Sequence, residues 1–308
     1  MHREPFSKDI LRIKDIEKLV NHLGEVLVEE IFRKYKRKGA VIGISGGIDS
    51  SVTMALAVKV LGKERIFGVM MPEKDSSPDS ENLADKLAKK FGVEAVVENI
   101  RPALEGFKCY ERRDEAVKRV FPEYDPKTYK MKIGVRQTGL YNNLPPLFSL
   151  TIIDKNGTKQ DKILQAREYL QIVAASNFKQ RARMSMVYYH AESLHYAVIG
   201  TPNKHEVEQG FFVKFGDGGS DVMPIAHLYK TQVYQMARYL EIPEKIIRRT
   251  PTTDTYSAEQ TQEEFFYQLP FDQMDLFWYA YENEIDTDIV AAEMLMTSEE
   301  VKSILSII

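Results

Sequence analysis

The chain has 308 residues, 44% of them hydrophobic, and a formal net charge of −3. It can bury a large core, as one α/β domain with additions or two small ones, and it lacks the excess of cations that a nucleic-acid surface requires. One cysteine, Cys109, excludes an intrachain disulfide and a thiolate zinc cluster and suits a reducing cytoplasm, and with no run of membrane-spanning length and no signal-like amino end, neither membrane nor nucleic acid is an expected partner.

Apolar residues at Ile10, Leu11, Ile13, Ile16, Leu19 and Val20, then Val26, Leu27, Val28, Ile31 and Phe32, recur at helical spacing and predict one long helix or a broken pair. The basic run Arg33 to Lys38 ends at Gly39; cations in a last turn before a glycine favour helix termination, so the run is read as a helix end rather than an anion site. Val41 to Ile44 then reads as a strand. It passes directly into Ser45-Gly46-Gly47-Ile48-Asp49-Ser50-Ser51 and a helix ending near Leu61, the element order of a phosphate cradle. Gly46 and Gly47 place no side chain between backbone amides and a polyphosphate, Ser45, Ser50 and Ser51 add hydroxyl donors, and the helix aims its positive end at the anion. Asp49 is the odd member: a carboxylate beside a phosphate is repulsive unless a cation lies between them, which argues for magnesium shared with a nucleotide. The commoner phosphate loop is excluded, because the only Gly-Lys, Gly62-Lys63, is followed by Glu64.

A strand at Ile66 to Met71, a helix near Asp79 to Phe91 and a strand at Ala95 to Ile100 continue the alternation, which predicts an open parallel sheet with helices on both faces. Residues 101 to 120 read as helical. From Phe121 to about Asp161 the pattern changes: Pro122, Pro126, Pro145 and Pro146 interrupt it, Leu147 to Ile153 reads as a strand, and Asp154-Lys155-Asn156-Gly157 as a tight turn. This predicts an insertion carrying a hairpin, with a lid, a dimer contact, a docking surface and plain surface elaboration all open as roles. A long amphipathic stretch from about Lys162 to Tyr196 leads to a strand at Ala197 to Ile199. His190 and His195, five apart on that stretch, are not spaced as a metal pair.

In an open parallel sheet ligands bind beyond the carboxyl ends of the strands, so Thr201 and Glu206, just after the strand at 197 to 199, fall on the same rim as the Ser45 to Ser51 turn. Glu206 is either a second carboxylate for magnesium or a solvated acid in a helix's first turn. Residues 210 to 221, with four glycines in ten positions beside three phenylalanines and Lys214, predict a loop able to close over a nucleotide. Lys230 opens a helix that runs to Leu240, where a cation suits the dipole poorly but suits a phosphate well. A helical region follows from about Phe271.

The first turn resembles the pyrophosphate loop of the ATP pyrophosphatases, which cleave ATP between the α and β phosphates. The segment Asn177-Phe178-Lys179-Gln180-Arg181-Ala182-Arg183-Met184, the Gly200-Thr201-x-Asn203-x-x-Glu206 cluster, the Phe212 to Asp221 loop, Leu228-Tyr229-Lys230-Thr231-Gln232-Val233 and Pro251-Thr252-Thr253-Asp254 resemble, in order and spacing, the bacterial NAD synthetase family. The resemblance covers about residues 15 to 120 and 165 to 265. It implies a single Rossmann-like α/β domain of the ATP pyrophosphatase type over 1–308, and a carbon–nitrogen ligase of NAD biosynthesis. The reaction implied is amidation of nicotinic acid adenine dinucleotide (deamido-NAD) to NAD through an acyl adenylate, with ammonia as nitrogen donor and AMP and pyrophosphate released.

By motif, Gly43, Ser45, Gly46, Gly47, Asp49, Ser50, Ser51, Thr201, Lys230 and Thr252 would bind ATP, Arg181, Lys214 and Asp221 would bind deamido-NAD, and Asp49 and Glu206 would hold Mg2+, with no covalent protein nucleophile. The family also implies a cytoplasmic homodimer with the dinucleotide site at the subunit interface. The first strand begins near Val41, leaving no room before it for the nitrilase-like domain of glutamine-dependent members, so ammonia would come free or from a separate glutaminase. Two alternatives remain: the same adenylating chemistry on another carboxylate, such as a sugar acid, and a nucleotide-binding relative without activity.

Overall fold

The computed structural model describes residues 5–136, 147–252, 255–261 and 269–306. Helix α1 (Ile16–Val28) begins where the Asp15 carboxylate accepts from Lys18 N, and it widens into a π turn over Glu29–Lys34. The predicted helix therefore starts later than its apolar periodicity, residues 8–11 forming a turn, and it ends at Lys34, shortly before Lys36 with φ of 53°. Strand β1 (Ala40–Gly43), α2 (Ile48–Leu61), β2 (Ile66–Met70), α3 (Pro78–Phe91) and β3 (Glu94–Val97) follow. β3 stops short of the predicted Ile100 because Asn99 Oδ1 accepts from Arg101 N and turns the chain into α4 (Arg101–Gly106). A break at Lys108, with φ of 56°, separates α4 from α5 (Cys109–Val120).

The region predicted to hold a hairpin holds three antiparallel strands, β4 (Lys130–Arg136), β5 (Leu147–Ile153) and β6 (Lys159–Ile163), in the order β4-β5-β6. The missed strand alternates as Lys-Met-Lys-Ile-Gly-Val-Arg, the period of a half-buried strand. Met131 and Ile133 face Leu150 and Ile152, and together they pack on Val117 and Phe121 of the α5 end and Ile172 of α6 (Ala166–Leu194).

After α6 the chain forms β7 (Ala197–Ile199), α7 (Lys204–Glu208), α8 (Lys230–Tyr239), α9 (Glu244–Ile247), α10 (Phe271–Glu282), α11 (Thr287–Met294) and α12 (Ser298–Leu305). The main sheet is parallel, in the order β3-β2-β1-β7. Its side chains alternate between two covered faces: Val41, Val69 and Val198 pack on Val187 and Ala191 of α6, whereas Ala40, Ile42 and Ile199 pack on the side of α1, α2, α3 and α8. Both faces are buried, which is why β1 and β7 read as unbroken apolar runs rather than alternating ones. A separate cluster joins α10, α11 and α12 to Phe6 and Leu11.

Candidate active site

From β1 the chain steps one way to β2 and β3 and later returns to β7 on the other side of β1. The loops leaving β1 and β7 therefore diverge, and a crevice opens between them at the carboxyl ends of the strands. A cavity of about 300 Å³ lies there, its floor formed by Gly43, Ser45, Gly47, Asp49 and Ser50 after β1 and its opposite wall by Thr201 and Glu206 after β7. Met70, Met71, Val187 and Ile199 give it an apolar side, and Thr252 closes one end.

The turn after β1 is held by its own hydroxyls. Ser45 Oγ accepts from Gly47 N at 3.2 Å and lies 3.0 Å from Ser50 Oγ, which also donates to Gly47 O. Gly46 sits at φ of 75°, and a Cβ there would lie 2.5 Å from Ser80 O, so this glycine is required by the turn and by the close approach of α3. It faces α3 and does not line the cavity, unlike Gly47. Ser51 is fully buried and donates to Gly47 O at 2.7 Å, so its hydroxyl is committed within α2.

Asp49 is the electrostatic centre. Its Oδ2 lies 2.5 Å from Lys230 Nζ, and its Oδ1 accepts from Asn203 Nδ2 at 3.2 Å. Asn203 in turn caps α7 reciprocally with Glu206: Glu206 N donates to Asn203 Oδ1, and Asn203 N donates to Glu206 Oε2. Segments 154 and 181 residues from Asp49 thus meet on one carboxylate. Lys230 is buried; burial alone would lower its pKa, but the charges of Asp49 and Glu206 outweigh that and raise it. Glu206 is pushed up to about 8 by burial and by the negative charge of Asp49, against the opposing pull of Lys230.

The sign of that last shift gives a test. Glu206 titrates near 4.5 in an unfolded chain and near 8 in the fold, so the fold binds the extra proton between those values and loses stability as pH rises through them. Glu206→Gln keeps the acceptor for Asn203 N and removes the charge. In the metal-free protein it should melt above wild type at about pH 8.5, with the difference vanishing towards about pH 5. Equal melting temperatures at both pH values would contradict the assignment.

A second polar cluster lies behind the cavity. Lys179 Nζ donates to Glu73 Oε1 at 3.0 Å, Asp75 Oδ2 at 2.7 Å and Thr255 O at 2.8 Å. Arg113 reaches Asp75 at 2.5 Å and Asp114 at 3.0 Å, and Tyr110 OH donates to Glu73 Oε2 at 2.6 Å. Burial pushes Asp75 up, but Lys179 and Arg113 more than offset it and hold its carboxyl below the ordinary range. This cluster fixes the loop after β2, whose Pro72, Ser76 and Ser77 line the cavity, to α6 and to the segment after Thr252.

Of the residues expected on deamido-NAD, none lines this cavity. Arg181 is exposed and donates to Lys214 O at 3.1 Å, Lys214 is exposed beside Phe215, and Asp221 accepts from Tyr188 OH and Val198 N with its two oxygens. Helix geometry accounts for the first case. Two residues along an α-helix rotate by about 200°, so with Arg181 outward it is Arg183 that faces the cavity, beside Gln180. Other lining residues given no role by the sequence are Asp217, Ser80 and Arg249, whose Nη2 donates to Ser80 Oγ at 2.8 Å. Arg249 lies two residues before the Pro251-Thr252 turn, the local signal that could have found it. Thr253 and Asp254 of that turn lie outside the described residues.

Two carboxylates beside a lysine suit a hard divalent cation that takes its other ligands from phosphate oxygens and water. Among the described residues no group of three or more His, Cys, Asp or Glu is placed to hold a metal by protein ligands alone. No helix among them is long and apolar enough to cross a membrane.

A family model for NAD synthase matches residues 18–125 and 147–308. An NH(3)-dependent NAD(+) synthetase of Rhizobium rhizogenes is 45% identical over 298 residues, covering 97% of this chain and 89% of that relative. In structure the chain is similar to an NMN synthetase from Francisella tularensis (TM-score 0.60, 24% identity, 94% of this chain and 89% of that one). It is equally similar to an NH3-dependent NAD synthetase from Campylobacter jejuni (TM-score 0.60, 22% identity, 96% and 94%). At these identities the two structures bear on the fold alone.

Proposed function

The chain belongs to the NAD synthase family, and from that premise we propose how its cleft carries out the ATP-dependent amidation of deamido-NAD to NAD with ammonia. The enzyme is a carbon–nitrogen ligase and ATP is its substrate; the relatives do not favour another acceptor acid or a non-catalytic role. The observation that carries the assignment of parts is the convergence of Asp49, Asn203, Glu206 and Lys230 above the Ser45 to Ser50 turn.

A carboxylate does not react with ammonia directly, because its leaving group would be an oxide. The acid must first attack the α-phosphorus of ATP, forming an acyl adenylate and releasing pyrophosphate; ammonia then attacks the acyl carbon and AMP departs. Amides of Gly47 and its neighbours at the start of α2, with the hydroxyls of Ser45 and Ser50, would hold the departing pyrophosphate. Thr201 and Thr252 would contact the nucleotide at the opposite wall and end, and Lys230 Nζ would move from Asp49 towards a phosphate oxygen. Asp49 and Glu206 would hold Mg2+, which when bound neutralises charge developing on the pyrophosphate. Gly46 and Ser51 would act by shaping the turn. Nothing in this scheme needs a covalent protein nucleophile; positioning and electrostatics suffice.

Arg181 and Lys214 meet outside the cavity on the exposed face of α6, and Asp221 is bonded to Tyr188 OH and Val198 N, so these residues would meet deamido-NAD only at its outer reach, as a site shared between two copies of the chain would require. A homodimer, a cytoplasmic location and ammonia supplied free or by a separate glutaminase complete the reading. The experiment is turnover: protein with ATP, Mg2+, ammonium and deamido-NAD should form NAD and AMP in equal amounts. AMP release that needs a different acid, or ATP binding without turnover of any acid, would contradict it.

A further inference from the structure

α10 lies away from the cavity, yet it carries two carboxylates seven residues apart, hence on one face two turns along. Asp275 is fully buried. Its Oδ1 lies 2.5 Å from His205 Nε2 and accepts from Lys230 N at 3.3 Å, while its Oδ2 accepts from Thr231 N at 2.7 Å. Glu282 repeats the pattern: its Oε1 lies 2.6 Å from Lys204 Nζ, and its Oε2 accepts from Tyr229 OH at 2.5 Å. Each carboxylate therefore ties α7 to the start of α8. The tied residues are neighbours of Lys230, which meets Asp49, and of Glu206, which Asn203 joins to Asp49: Lys204 and His205 precede Glu206, and Tyr229 and Thr231 flank Lys230.

The charges explain why such ties are needed. Lys230 occupies the first position of α8, where the helix dipole opposes a cation, and α7 has only five residues, too few to hold its own geometry. Asp275 supplies an anion to the amides that open α8 and fixes the imidazole next to Glu206. α10 is itself held firmly, with Leu276, Phe277, Trp278 and Ala280 packed against Phe6, Leu11 and the helices α11 and α12.

We propose that Asp275 and Glu282 are positioning residues for the reaction: they clamp α7 and α8 so that Glu206 and Lys230 are presented together to Asp49 and the phosphates. This rests on the reading of the cleft as the Mg–ATP site. Neither residue touches substrate; both act through the helices they join, as outer partners of metal ligands do.

The test uses Asp275→Asn and Glu282→Gln in the full chain. Binding of a non-hydrolysable α,β-methylene ATP analogue is titrated by calorimetry against Mg2+, and NAD formation is followed with deamido-NAD and ammonium. In Asp275→Asn the analogue should bind about tenfold or more weakly, kcat should fall by a similar factor, and KM for deamido-NAD should stay within about twofold; in the more exposed Glu282→Gln the loss should be about threefold. A folded Asp275→Asn with wild-type analogue binding and wild-type Mg2+ midpoint would overturn the proposal, as would a KM for deamido-NAD rising in step with the loss. Should Asp275→Asn fail to fold, Glu282→Gln decides by the same measurements, an unchanged Mg2+ midpoint overturning the proposal and a threefold loss supporting it. A wild type that binds the analogue but never turns over deamido-NAD would defeat the amidation reading and leave the clamp to be judged on binding. A wild type that binds no analogue would defeat both.

Discussion

Asp49→Asn is expected to lower kcat for NAD formation by at least about a thousandfold, roughly 4 kcal/mol of transition-state stabilisation, while the protein stays folded. The two halves of that expectation have one cause. Asp49 holds Lys230 and Asn203 in the free enzyme and, in the proposed reading, would hold the cation in the loaded one, where its charge would be central to charge neutralisation at the departing pyrophosphate. Its loss also removes the repulsion that, with burial, raises Glu206. Glu206 then ionises more readily and replaces Asp49 as the counter-charge of buried Lys230, so the melting temperature should move by no more than about 4 °C, near 1 kcal/mol for a chain this long. Unchanged turnover would remove Asp49 from the chemistry. A variant that unfolds would show instead that its pairing with Lys230 is mainly structural.

Lys179→Met should be the most destabilising substitution in the cluster behind the cleft, by about 3–5 kcal/mol in urea unfolding, because it leaves Glu73 and Asp75 buried with Arg113 as their nearest remaining cation. That is a large part of the whole stability of an ordinary domain. The double variant Lys179→Met, Glu73→Gln should recover much of the loss, since Gln still accepts from Tyr110 OH and no longer carries an uncompensated charge. The Asp75 contribution belongs to neutral pH and disappears on acidification below about its ordinary 3.8, since its carboxyl is depressed in the fold. A single variant costing less than about 1 kcal/mol, or a double variant no better than the single, would show that the three acceptors do not depend on the ammonium.

The parts of the molecule that were legible in the sequence are those with local causes. An apolar run followed by Ser-Gly-Gly and a helix reads as a strand, a turn and a dipole whatever lies elsewhere, and the alternation of strands and helices up to Val97 gives the parallel sheet directly. Thr201 and Glu206 line the cavity at the rim that the sheet rule assigns from the end of β7 alone. The parts that were not legible depend on partners far along the chain. Lys179 reads locally as one more cation on a charged helix, and its acceptors lie 104, 106 and 76 residues away. Asp275 sits in an aromatic-rich stretch with no sign of the helix start, 44 residues back, that it caps. Arg181 and Arg183 differ only in helix phase, which burial on the sheet decides and a motif does not. Ser51 is a hydroxyl of the motif whose place as the fourth residue of α2 turns it back to Gly47 O.

In the proposed mechanism the turn after β1, with Asp49 and Glu206 above it, grips the two outer phosphates of ATP. A crystal structure with α,β-methylene ATP and Mn2+ in place of Mg2+ tests it most directly, since the anomalous signal fixes the metal. The β and γ phosphates should lie on the amides and hydroxyls of Ser45 to Ser50, with metal density within bonding distance of Asp49 and Glu206 and Lys230 Nζ turned towards a phosphate. A triphosphate bound elsewhere, with Lys230 still on Asp49, would contradict it.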